Sequence, residues 1–197
     1  MLDINWKPDF GSIYTWFASD KNGQVAIFVN NNFGDIPKIL LEINLLENKL
    51  DEISEFTLEE SKKYEKYFFR KNGGTVLNFY SSTRYRNYSS TEDVDKEIQS
   101  RYQPEFITEN TIPAYKGIYV YHAVEGDRPG EDFPVGLNEE SSMGDYFKFL
   151  SPTIAANIND FPSDLRKSIA KSEAIEFSNL KFIRTHDLNI IFDCTCD

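Results

Sequence analysis

The segment "QVAIFV", residues 24–29, constrains this chain most. Val25, Ile27 and Val29 alternate with Ala26 and Phe28, so a strand here is apolar on both faces and needs cover on both sides. The aromatic run before it, "IYTWFAS" (13–19), also reads as a strand. Asp20-Lys21-Asn22-Gly23 joins the two, and Asn-Gly favours the positive φ of a hairpin turn. "GIYVYHAV" (117–124) repeats the pattern, with Tyr119, Tyr121 and Ala123 on one face and Ile118, Val120 and His122 on the other. Aromatic residues make up 15% of the chain, a share that suits pleated surfaces.

The spacing then changes. Ile39, Leu40, Ile43, Leu46, Leu50 and Ile53 form the stripe of a helix, with Asp35 as its N-cap and Pro37 in its first turn. Thr57-Leu58-Glu59-Glu60 reads as the capping box of a second helix, carrying Tyr64, Tyr67 and Phe68 and stopping near Asn72-Gly73-Gly74. Short helices are expected from Thr91 to Arg101 and over 165–171. Further strands are expected over 75–80, 146–150, 175–183 and 189–192. Strands and helices do not alternate regularly. The expected class is therefore α+β: a single domain over 1–197, mostly antiparallel sheet, with an N-terminal hairpin and two to four helices. A chain of 197 residues buries a sizeable core without disulfides or metals.

The formal net charge of −11 argues against nucleic acid as a partner, because phosphates are repelled, and favours a basic one. No apolar run is long enough to span a membrane, and "MLDINWKPDFGSIYTW" lacks the pattern of a signal peptide, so a cytoplasmic chain is expected. The charges come in blocks. Glu42, Glu47, Asp51, Glu52, Glu55, Glu59 and Glu60 face only Lys49 within their stretch. Lys62, Lys63, Lys66, Arg70, Lys71, Arg84 and Arg86 follow, with Glu65 as the one acid. A second acidic stretch, "EGDRPGEDFPVGLNEESSMGD" (125–145), is long and rich in Gly and Pro, as functional loops are. Its acids Glu125, Asp127, Glu131, Asp132, Glu139 and Glu140 are the candidate partner-binding residues, with Phe133 and Tyr146 as apolar anchors.

Motifs for chemistry are sparse. Gly-x-Gly-x-x-Gly, the P-loop pattern, Gly-x-Ser-x-Gly and an Asp-rich calcium loop are all missing. Cys194 and Cys196 are the only cysteines, in the acidic tail "DCTCD", and with His122 and His186 they show no metal-site spacing. No metal and no cofactor is expected, and the thiols read as a frayed terminus. Asn30-Asn31-Asn32-Phe33-Gly34-Asp35 ends at a helix N-terminus, but an aspartate cap occupies the donors that an anion needs. An enzymatic alternative assembles a site from Tyr121, His122, His186 and Asp187.

"YTWFASDKNGQVAIFVNNNFGDIPKILLE" (14–42) resembles the start of small uncharacterised bacterial proteins with a strand, "D-x-x-G", an apolar strand and "FG-x-IPK" before a helix. Some such acidic α+β proteins resemble the immunity proteins of polymorphic toxin systems. The resemblance covers about the first fifth of the chain and carries no catalytic motif. It implies a cytoplasmic protein that neutralises a toxin by binding it, and with the acidity of the chain the expected function is a non-catalytic binding domain that occludes a basic toxin.

Overall fold

A computed structural model describes residues 2–103, 105–125 and 131–196. Its strands are β1 (Thr15–Ser19), β2 (Val25–Val29), β3 (Thr75–Leu77), β4 (Tyr80–Ser81), β5 (Tyr119–Ala123), β6 (Pro134–Val135), β7 (Tyr146–Pro152), β8 (Ala170–Lys171), β9 (Phe182–Ile183) and β10 (Cys194–Thr195). The α-helices are α1 (Lys38–Leu41), α2 (Leu46–Thr57), α3 (Thr91–Ser100), α4 (Ile112–Lys116), α5 (Ser163–Arg166) and α6 (Leu188–Ile191). The fold is α+β.

Eight strands form one mixed sheet in the order β10-β8-β1-β2-β5-β7-β3, with β9 also on β7, while β4 and β6 pair separately. The expected hairpin is β1–β2, antiparallel from Thr15↔Val29 to Ser19↔Val25. The expectation of a mostly antiparallel sheet with two to four helices needs correction. Two pairings at the centre, β2 with β5 and β1 with β8, are parallel, and the helices are more numerous and shorter. Parallel partners require a long crossover, here residues 30–118, which leaves no local trace in the sequence.

Both faces of β2 are covered, as its composition requires. On one face Phe17, Ile27 and Val120 pack with Ile53 and Phe56 of α2, Val94 and Ile98 of α3, and Phe161. On the other, Trp16, Phe28 and Tyr121 are cross-strand neighbours. Trp16 stacks on Phe28 at 4.0 Å between centroids, and Phe28 on Tyr121 at 4.8 Å. Such aromatic pairs contribute roughly 0.5–1.5 kcal/mol beyond the area they bury. Tyr146 abuts this stack edge-on and accepts a hydrogen bond from Trp16 Nε1 (3.0 Å) while donating to the Asp35 carbonyl (3.1 Å). It is a core residue, not the surface anchor that the sequence suggested.

The first helical stripe is split. Leu45 adopts a left-handed φ of 56°, between α1 and α2. Leu40 and Leu41 before the break and Leu46 and Leu50 after it join one layer, while Ile53 and Phe56 further along α2 join the other. Asp35 does not cap α1, whose N-cap is Pro37, and instead pairs with Lys7 at 2.9 Å. Thr57 ends α2, with its hydroxyl donating to the Ile53 carbonyl, and residues 62–67 form a 3-10 helix rather than an α-helix. Residues 188–191 are helical where a strand was expected, and Cys194–Thr195 pair with β8 rather than fray. By contrast α3 lies where a helix was expected, although its cap is Ser90, accepting from Asp93 N, rather than Thr91 or a residue after it.

One buried cation also shapes this core. Lys148 is 3% exposed, and its Nζ donates to the carbonyls of Phe177 (2.9 Å) and Ser178 (3.1 Å). Burial, reinforced by Lys181, pulls its pKa down to about 8.

Candidate functional site

The acids of the 125–145 stretch separate into different roles. Asp132 is buried. Its Oδ1 accepts from Ser81 Oγ (2.9 Å), Ser82 Oγ (3.0 Å) and the Thr83 amide (3.1 Å), and its Oδ2 from the Glu125 amide (3.0 Å). It therefore staples the turn after β4 to the end of β5. Asp145 is also buried, accepting from Thr185 N and Oγ1 and from Ser142 N. Glu125 is half-buried and accepts from Arg84 Nη2 at 2.6 Å. Burial raises its pKa, with Arg84 opposing and Asp132 adding to the rise. Glu131, Glu139, Glu140 and Phe133 are exposed, and Asp127 lies outside the described residues. The net charge of this stretch thus overstates the acid that it shows to a partner.

The four residues of the enzymatic alternative are not brought together. Tyr121 and His122 point to opposite faces of β5, and Tyr121 donates to the Leu180 carbonyl at 2.7 Å. His186 is exposed on a 3-10 turn, 3.5 Å from Asp187, beside Arg184, Lys38 and Asn189. His122 is buried, its ring 4.5 Å from that of Phe149. Arg84 Nη1 lies 3.3 Å from His122 Nδ1. A guanidinium only donates, so Nδ1 is the acceptor and the ring proton sits on Nε2. That Nε2 is buried with no hydrogen-bond partner among the described residues. Burial first and Arg84 second hold the pKa of His122 well below the usual imidazole value, so it stays neutral. Arg84 also donates to Asn31 Oδ1 and lies 3.8 Å from Glu109. The asparagine run is thus a connector knitted into the sheet end: Asn31 Nδ2 donates to the Ala123 carbonyl and Asn30 Oδ1 accepts from Tyr14 N.

An open groove lies over the sheet face that carries Ile27 and Val29. It encloses about 620 Å³. Thr15, Ile27 and Val29 form its floor, Ser54 and Thr57 of α2 with Leu58 just after it one wall, and Gln103, Phe106, Ile107, Thr108, Glu109, Asn110 and Ile112 the other. Concave, largely apolar spaces with a few polar groups are the usual form of a binding site. Phe106, at the groove, is 61% exposed. Asp51 and Glu55 lie one turn before Ser54 and Leu58 on the outward side of α2, and both are exposed. Glu109 stands on the opposite wall. Arg101 also lines the groove, but its Nε is engaged by Glu97 at 2.7 Å. At the strand end of α2, Tyr14 donates to Glu47, and its pKa is raised by burial and then by Glu47, Asp9 and Asp51.

The groove was missed in the sequence because its walls are separated by about fifty residues and neither carries a motif. The available signal was the acid-rich outer face of α2, interleaved with Ser54 and Leu58. Among the described residues no group of three or more His, Cys, Asp or Glu is placed to hold a metal ion, and no helix is long and apolar enough to cross a membrane. Compared with family models, with curated proteins and with solved structures, the chain matches none.

Proposed function

We propose that this chain is a non-catalytic protein-binding domain for a basic partner, immunity-like in that it neutralises a toxin by covering its cleft. The observation that carries this reading is the asymmetry of charge pairing. Lys7, Lys21, Arg70, Lys71, Arg84 and Lys116 are all engaged in ion pairs within the fold. Asp51, Glu55, Glu60, Glu139 and Glu140 are exposed and have no ion pair among the described residues. Exposed bases without an ion pair also remain among the described residues, namely Lys38, Lys62, Lys66, Arg86, Lys167, Lys181 and Arg184, but exposed acids without one are more numerous, so the excess that faces out is acid. Such a surface speeds encounter with a basic protein and repels polyanions.

The test is to co-purify the chain with the products of the genes flanking its own and to titrate any complex at increasing salt. A basic product should form a stoichiometric complex that weakens as salt rises, and its toxicity should be suppressed. A complex only with an acidic product, or no complex with any basic one, overturns the reading.

A further inference from the structure

Resting on that reading, we propose that the groove between α2 and residues 106–112 seats a basic segment of the partner. An apolar side chain of the segment enters the cavity, and flanking Lys or Arg side chains lie against Asp51 and Glu55. The floor is apolar, at Ile27 and Val29. The hydroxyl of Ser54 and the amide of Asn110 have no hydrogen bond among the described residues, so both are open to a partner backbone. A cavity of about 620 Å³ admits side chains but not a folded surface.

Charge complementarity selects the occupant. A second copy of this chain brings the same net charge of −11 against an acidic rim, and a nucleic acid or an anionic membrane meets the same repulsion. An apolar molecule without charge fills the cavity but leaves the rim acids unused. A basic segment with one large apolar residue satisfies both the floor and the rim, and a buried anchor ringed by charge is how such interfaces concentrate their affinity.

The probe is a short fluorescein-labelled peptide with a central Phe flanked by Lys and Arg. Controls replace the Phe with Gly, or the bases with Glu. Amide shifts of the isotope-labelled protein should move along α2 and residues 106–112, and either control should bind about tenfold more weakly or worse. Ser54→Trp plugs the groove without changing charge and should weaken binding to a similar degree. Wild-type-like shift dispersion away from the groove checks its folding, and the wild-type map stands if that variant fails to fold. Shifts on Glu131, Glu139 and Glu140 instead, or equal binding of the Gly control, overturn the groove while leaving a basic-partner function intact. No binding by any basic peptide also overturns the groove. Failure of the flanking-gene titration removes the function itself.

Discussion

The two acid-rich stretches of this molecule put the same side chain to opposite uses. In the 125–145 stretch, Asp132 and Asp145 turn inward and hold backbone amides and hydroxyls. On α2, Asp51 and Glu55 turn outward beside an open groove. The difference lies in what the backbone around them needs. An irregular stretch exposes amides that lack a ladder partner, and a buried carboxylate is a strong acceptor for them. A helix satisfies its own amides, so its acids are left for solvent or a partner.

The largest effect that can break this contrast is on stability. Asp132→Ala leaves four donors without their acceptor and should cost about 3 kcal/mol, read as a lower urea midpoint at unchanged m. If Asp132→Ala unfolds within error of wild type, the staple is not one. Asp145→Ala, with three such donors, should cost about 2 kcal/mol in the same assay.

Next is the pH dependence of the buried cation. The folded pKa of Lys148 is about 8, below the roughly 10.4 of an unfolded lysine. Between these values the unfolded chain binds more protons, so stability rises with pH through this window. Relative to Lys148→Met, wild type should gain about 1–2 kcal/mol from pH 8 to pH 10. Above pH 10 the raised pKa values of Tyr121 and Tyr146 act oppositely, because the folded state then holds protons that the unfolded chain releases. Parallel curves for the two proteins would show that Lys148 titrates normally.

The smallest expected effect on stability belongs to the outward acids. Asp51→Lys with Glu55→Lys should shift the urea midpoint by no more than about 0.5 kcal/mol equivalent. A larger loss would make α2's acids structural as well, and the contrast would collapse.

How far the sequence foretells this depends on distance along the chain. The period-two strands at 25–29 and 119–123 and the capped helix at 91–100 are legible because their signals are local. The parallel pairing of β2 with β5 is not, since it joins residues about ninety apart. A short apolar run such as Leu188–Ile191 does not distinguish strand from helix by period alone. Leu45 interrupts a stripe whose apolar spacing continues unbroken through it. The burial of Asp132 was hidden because a carboxylate among Gly, Pro and other acids reads as solvated, while its donors Ser81, Ser82 and Thr83 lie some fifty positions earlier.

Two double charge reversals, compared side by side, reach the centre of the matter. Asp51→Lys/Glu55→Lys and Glu139→Lys/Glu140→Lys change the net charge by the same amount, so only location differs. Titrated with the Phe-centred basic peptide at one low salt concentration, the α2 pair should lose about tenfold or more in affinity, and the loop pair should stay within about threefold of wild type. Equal losses, or a greater loss in the loop pair, would contradict the assignment of binding to the α2 groove.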